Sequence, residues 1–259
     1  MSIFDHYRKE EHIFIEQALE WKGAVETFYE KKRTDFLDPR EQEILASVIG
    51  KDDTVHLSFW GGDGECERKR ALLYPFYEEI SKEDFALSLF QLNYPAKFTV
   101  IKHRDILGSL IGLGIERRKF GDIMEKEGRF QFIAAAEISS FIEMNLHKVG
   151  NASVSVEPIS FHRMLPISDV WEEAETTVSS FRLDALTAKM YHLSRSKALT
   201  YIEKGLVKVN WKTTEQPDFL LNSDDYVSIR GLGRRKVIET AGQTKKGRFK
   251  VTFGKKQDP

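Results

Sequence analysis

The chain of 259 residues contains a single cysteine, Cys66. One thiol excludes an internal disulfide framework and a thiolate metal cluster, and it fits a reducing, cytoplasmic setting. No stretch approaches the roughly 18 consecutive apolar residues of a membrane-spanning helix. The opening "MSIFDHYRKEEHIF" lacks the basic segment and apolar run of a secretory leader. A soluble protein with no membrane partner is therefore expected. The seven histidines are scattered, with no pair at i, i+4 and no thiolate nearby, so no metal site is expected. Gly108, Gly112 and Gly114 lack the preceding strand that a dinucleotide fingerprint requires. No catalytic triad or methyltransferase-type glycine loop occurs either. Neither a cofactor nor enzymatic activity is expected.

Net charge is also nearly absent, at −1, yet the charge is unevenly spread. From Ser180 to Pro259 there are 17 Lys and Arg against 8 Asp and Glu, a net of +9, which leaves −10 on residues 1–179. A basic module attached to an acidic body is the simplest organisation. Hydrophobic content of 41% with 12% aromatics supports folded domains in both halves.

Residues 3–30 read as a long helix with a stripe of Phe4, Tyr7, Phe14, Ala18, Trp21, Val25 and Phe28, weakened at Gly23. A second helix is capped by Asp38, has Pro39 in its first turn, completes a capping box with Glu41 and ends at Gly50. "VHLSFWGG" reads as a strand and "ECERKRALLYP" as a short helix ended by Pro75. Further on, "DFALSLFQLNY" alternates as a strand does and "RDILGSLIGLG" is helical. "KFGDIME" and "RFQFIAAA" are strands, "EISSFIEMNLHKV" is helical, and "ASVSVEPI" is a strand. That order is the ferredoxin-like split βαβ arrangement. The acidic, weakly periodic "PISDVWEEAETTVSS" reads as a linker or linking helix.

The expected class is thus α+β with several domains. These are a mainly helical N-terminal part (1–74), a ferredoxin-like, RRM-like βαββαβ domain (75–165), a linker (166–180) and a basic module of two helices plus a small sheet (181–259). Within the module, "LSRSKALTYIEKGLVKVN" places Ala198, Leu199 and Ile202 on one helix face and Lys197, Thr200, Tyr201 and Lys204 on the other. Ser194 stands at the N-cap, so Arg195 and the free N–H groups sit at the positive end of the helix dipole. Such a start is a phosphate-binding surface.

"RLDALTAKMYHLSRSKALTYIEKGLVKVN" followed by "SDDYVSIRGLGRR" resembles the RNA-binding domain, of the αL type, named after the fourth protein of the small ribosomal subunit. "GGDGECERKR" and "HRDILGSLIGLGIERRKFGDI" resemble the linker and central motifs of the bacterial YlmH family, which joins a helical part and a ferredoxin-like domain to that same module. The resemblance implies a non-enzymatic, cytoplasmic protein that binds ribosomal RNA and tRNA, including peptidyl-tRNA, on the large ribosomal subunit. Its implied role is ribosome-associated quality control, where stalled nascent chains receive an alanine tail, with a quality-control protein as a possible partner. The RNA face is expected to comprise Arg182, Ser194, Arg195, Ser196, Lys197, Lys204, Lys208 and Asn210, extended by Arg230, Arg234, Arg235 and Lys236. The family usually has Gly after the Asn, where Trp211 stands here. Trp is not expected to take the positive φ of that turn, so a different local turn is expected. Its indole either stacks on a base or packs against the module's own strands, and the turn argument favours exposure.

Two rival readings stand beside this one: an RNA-modifying enzyme that docks through the basic module, and a cell-division interaction protein acting through the acidic body. Arg-Leu-Asp at 182–184 also occurs in pseudouridine synthases. Here an amphipathic helix follows, and Asp184 is expected to cap it. His103, Arg104, Arg117 and Arg118 form either a solvated face, the favoured reading, or a second RNA contact region. The "KKGRFKVTFGKK" of 245–256 reads as one more basic strand, with Phe249, Val251 and Phe253 facing inward.

Overall fold

The computed structural model describes residues 3–51, 53–63, 65–167, 171–244 and 247–256. Its contacts divide the chain into two compact units, Met1–Ser168 and Asp169–Asp258.

The first unit opens with α1 (Lys9–Phe28), which continues through Gly23 and buries Ile15, Ala18 and Val25. Helix α2 (Pro39–Ile49) forms where local signals place it. Asp38 Oδ1 accepts the Glu41 N–H at 2.9 Å, Glu41 Oε2 accepts the Asp38 N–H at 2.7 Å, and Gly50, at φ 64°, ends the helix. Around these helices run β1 (Lys32–Leu37), β2 (Val55–Trp60) and β3 (Lys69–Pro75), an antiparallel sheet in the order β1-β3-β2.

Two expectations are corrected here. The part before residue 74 is a sheet with helices rather than mainly helical, and "ECERKRALLYP" yields β3 rather than a helix. β3 is the central strand, covered on both faces, so the period-two signal of a half-buried strand is erased. The charges that suggested a solvated helix include Arg70, which is only 2% exposed. Its guanidinium donates to Thr34 O at 2.8 Å, Phe85 O at 3.1 Å and Ala86 O at 2.9 Å. Two further bonds, at 2.6 and 3.1 Å, reach the Glu137 carboxylate. Burial alone would raise that carboxylate's pKa, but the Arg70 hydrogen bonds outweigh it and hold Glu137 below its usual range.

The chain then builds β4 (Leu87–Asn93), α3 (His103–Gly112), β5 (Phe120–Lys126), β6 (Arg129–Ala135) and α4 (Ser139–Asn145). A short hairpin, β7 (Lys148–Val149) and β8 (Ala152–Ser153), leads into β9 (Ser155–Ile159). The sheet order is β5-β6-β4-β9, with every neighbour antiparallel. Alternation sends Phe90, Leu92, Phe130, Phe132 and Ala134 toward Ile106 and Leu110 of α3 and Ile142 of α4. The opposite face carries Leu89, Met124, Ile133 and Ala135, and packs against Phe36 of β1, Cys66 and Leu165. Gln131 fixes the covering segment: its Nε2 donates to Arg163 O at 3.0 Å and its Oε1 accepts the Leu165 N–H at 2.7 Å. At Gly121 a Cβ would meet Phe36 Cε1 at 2.8 Å, so β1 can approach only because the side chain is missing. Both faces of this sheet are buried.

Cys66 lies within that covered layer, 4% exposed. Burial, with the Asp122 carboxylate adding to it, pushes its thiol up to about 12. Thiolate is the reactive form, so the folded chain should resist iodoacetamide at pH 8 and react only after denaturation. Mass spectrometry of the labelled chain measures this, and fast labelling of the folded protein would contradict the packing.

The second unit holds β10 (Trp171–Val178), α5 (Leu183–Met190), α6 (Arg195–Glu203), β11 (Val207–Val209) and β12 (Lys212–Thr213). It is completed by β13 (Tyr226–Ile229), β14 (Gly233–Gln243) and β15 (Phe249–Lys256). The sheet order is β10-β15-β14-β13-β11-β12. The stretch expected as a linker over 166–180 therefore supplies an edge strand. Its recruitment comes from a distant basic partner, with Trp171 opposite Lys256, Glu172 opposite Lys255 and Val178 opposite Phe249. Opposite charges across a strand pair stabilise an acidic segment that has no local β signal. In β15, Val251 and Phe253 are buried and Phe249 half-buried, facing in as expected, while residues 245 and 246 lie outside the described residues. Both helices pack on one face of the sheet, where Leu183, Leu186, Met190 and Ile202 meet Val207, Val227, Val237 and Phe253.

Candidate nucleic-acid interface

The basic module is organised around one carboxylate. Asp184, 2% exposed, lies in the first turn of α5. Arg182 Nε reaches its Oδ1 at 3.2 Å, and Arg195 donates to Oδ2 from Nε at 3.1 Å and from a terminal nitrogen at 2.8 Å. The expectation that Asp184 caps α5 is thus corrected: two guanidiniums claim its oxygens, and the first N–H groups of the helix are met by loop carbonyls. Leu183 N–H donates to Phe219 O at 2.7 Å and Asp184 N–H to Pro217 O at 3.0 Å. Burial would raise the Asp184 pKa, but the two arginine hydrogen bonds prevail and lower it. The ion pair therefore holds at neutral pH and is lost only as acid protonates the carboxylate below its ordinary range. Mechanically, Asp184 ties the starts of α5 and α6 together and holds two arginines side by side.

Helix α6 starts as expected. Ser194 Oγ accepts the Lys197 N–H at 3.2 Å. Ala198 and Ile202 are buried, and Ser194, Arg195, Ser196, Lys197 and Lys204 are exposed. Tyr201 departs from the expected polar face and packs partly against the core. Lys197 and Lys204 are exposed, while Arg182 and Arg195, half-buried and exposed respectively, spend part of their guanidinium edges on the buried Asp184 carboxylate.

The other expected residues are not on this face. Lys208 alternates with buried Val207 and Val209, which places it on the side of the sheet away from the helices. In register with it stand Ser228 and then Arg234. Lys236, opposite Tyr226, shares that outer side, and its Nζ lies 2.8 Å from Asp224. Arg230 is exposed in the loop after β13. Arg235 points the other way: its guanidinium lies 4.7 Å from the centroid of Tyr191 and donates to Met190 O at 3.4 Å, so it serves the core side. Asn210 is engaged in its own hairpin. Its Nδ2 donates to Asp225 at 2.7 Å and its Oδ1 accepts the Tyr226 N–H at 2.9 Å.

Trp211 corrects an expectation outright. Asn210 and Trp211 adopt φ 47° and 65°, the two positive values of a type I′ hairpin turn, so Trp does take the conformation usually left to Gly. What holds it there is contact with the sheet. The indole lies 5.3 Å from the Tyr226 ring, and Arg234 sits 4.9 Å from its centroid. The ring is half-buried. Sequence reasoning missed Tyr226 and Trp171 as members of this surface. The signal was the alternation around them, hidden by the acidic composition of β10.

The basic residues of the first unit do not gather. Arg117 turns inward, 4.6 Å from the Phe120 centroid, donating to Phe120 O at 2.6 Å, and burial lowers it to about 10. Arg118 pairs with Glu116 at 2.6 Å and Asp35 at 3.4 Å. The central sheet, with both faces buried, offers no open platform of the kind on which RRM aromatics stack bases. Among the described residues no cluster of three or more His, Cys, Asp or Glu side chains could hold a metal, and no helix is long and apolar enough to cross a membrane.

A family model described as "Putative RNA-binding domain in YlmH" matches residues 81–163, and one described as "S4 domain" matches 181–227. A protein of Bacillus subtilis (strain 168), "Ribosome-associated protein quality control protein P2", is 46% identical over 253 residues, which covers 97% of this chain and 98% of that protein. A solved structure, "Cell division protein ylmH from Streptococcus pneumoniae", shares 33% identity with a TM-score of 0.53, covering 62% of this chain and 98% of that one.

Proposed function

This chain belongs to the YlmH family, and from that premise we propose that it is a non-enzymatic adaptor that binds ribosomal RNA and tRNA on the large ribosomal subunit. Its place is in quality control of stalled translation in the cytoplasm, where nascent chains held as peptidyl-tRNA receive an alanine tail. The observation that carries the reading is the Asp184 clamp. A buried carboxylate holds Arg182 and Arg195 together beside the N-terminus of α6, with Lys197 in the first turn of that helix and Lys204 at its C-cap. Paired guanidiniums at a helix start suit the closely spaced phosphates of folded RNA. Sequence-independent contacts of this kind position a protein on RNA, while the shape of the RNA supplies selectivity. The relative's name supports the ribosomal setting. The strand order β9-β4-β6-β5, read in the order of the split βαβ motif, supports a ferredoxin-like central domain. Its buried sheet supports a part in orienting the module or meeting a quality-control protein rather than in stacking bases. Capture of the tagged full-length chain from lysate tests the function: large-subunit proteins should be recovered and then lost on ribonuclease treatment. Recovery that ribonuclease does not change would replace RNA by protein as the tether.

A further inference from the structure

The outer face of the C-terminal sheet, turned away from α5 and α6, carries a feature that folding does not call for. Trp171, Tyr226 and Trp211 form a continuous row, with ring centroids 5.8 Å apart for Trp171–Tyr226 and 5.3 Å apart for Trp211–Tyr226. Cations interleave with them: Arg234 lies 4.9 Å from the Trp211 centroid and Lys236 lies 5.4 Å from that of Tyr226. Lys208 projects beside them from β11. All three rings are half-buried, on the face opposite the module's own core.

Two independent details show that the row is accommodated at a cost. Trp211 sits at φ 65°, a conformation that strains any residue with a Cβ, where Gly would be at ease. At Gly254 a Cβ would stand 2.7 Å from Trp171 Cβ and 3.0 Å from its Cγ, so the indole lies flat only because that position has no side chain. Carboxylates share this face: Glu175 and Glu239 both stand opposite Thr252, farther along the strands from the aromatic row. Glu173 stands opposite Gly254 on β10, and Asp224 is already paired with Lys236.

We propose that this face is a second RNA contact, a stacking platform for unpaired nucleotides, on the opposite side of the sheet from the phosphate-binding start of α6. The proposal rests on the RNA-binding reading above and adds to it a preference for single-stranded segments. Aromatic faces accept any base, and the interleaved cations neutralise the backbone that links successive bases. A protein with both surfaces engages a folded RNA helix on one side and an adjacent unpaired stretch on the other.

The test uses the full-length chain with two labelled probes, an unstructured single-stranded RNA octamer and a blunt RNA duplex of the same length. Trp211→Gly is the informative variant, because Gly suits the positive φ and the hairpin is preserved. Trp171→Leu serves as a second variant, and thermal melting confirms that both fold. Each should weaken octamer binding about tenfold while leaving duplex binding within about twofold. Lys197→Ala should do the reverse. Intrinsic fluorescence from the chain's four tryptophans should be quenched by the octamer, and less so in either variant. The platform is overturned if folded variants bind the octamer as the parent does, or if both probes weaken equally. A parent that binds the duplex but not the octamer also removes the platform, leaving the helix-face reading intact. Failure to bind either probe would remove the RNA-binding reading itself.

Discussion

Replacing Arg70 by alanine lowers the stability of the first unit by about 3 to 5 kcal/mol, the scale for breaking a buried, hydrogen-bonded ion pair from one side. The loss has an identifiable source. The side chain is 2% exposed, and its guanidinium satisfies the carbonyls of Thr34, Phe85 and Ala86 as well as the Glu137 carboxylate. Removing it takes the guanidinium donor from the Thr34 and Phe85 carbonyls, while Ala86 O keeps the Ala136 N–H and Glu137 keeps Lys119 at 3.5 Å. Arg70→Lys rescues little, because one ammonium cannot span an arc of acceptors that a planar fork reaches at once. Urea unfolding of parent and variants measures the effect. A change below about 1 kcal/mol would mean that water replaces the guanidinium and that the cage contributes little.

The second large effect is on RNA affinity. With Arg195→Ala and Lys197→Ala combined, the slope of log K against log salt should flatten by about 1.4 to 1.8, from roughly 0.7 to 0.9 for each phosphate contact. Binding should weaken similarly for unrelated structured RNAs, since phosphates carry no sequence information. Asp184→Asn discriminates further. It removes no cation but abolishes the ionic hold on Arg182 and Arg195, leaving one amide oxygen to accept from them, so affinity falls while the slope stays close to the parent value. A double variant with an unchanged slope would remove both residues from the interface.

What the sequence made legible follows from where the information lies. The cap of α2, the start of α6 and the strands β4 and β6 rest on local signals and appear where expected. β3 and β10 were not legible, for opposite reasons. β3 is covered on both sides and hides a charge in a cage of carbonyls contributed by residues far along the chain. β10 is an edge strand whose pairing depends on lysines some 80 positions away. The same distance limits apply to the interface. Helix spacing placed Lys197 and Lys204 on one face and Arg195 at the helix start, but no local pattern shows that Lys208, Trp211, Arg234 and Lys236 lie on the other side of a sheet. Nor does spacing show that Arg235 turns back toward Tyr191. Trp211 was misjudged because a turn preference was taken as a prohibition. A cost of about 1 to 2 kcal/mol for a left-handed residue is small beside contacts with two neighbouring side chains.

The layer formed by Phe36, Cys66 and Leu165 over Leu89, Met124 and Ile133 has a consequence for how the protein can be cut. A fragment beginning after β3 would keep four paired strands yet lay bare a sheet face built of apolar side chains, and it would lose the guanidinium that closes the Ala86 and Glu137 end. Such a fragment would be adhesive rather than independent, associating through that face at micromolar concentration. The cover is drawn from both sides of the sheet in the chain, Phe36 and Cys66 before it and Leu165 after it, so a cut on neither side leaves the layer whole.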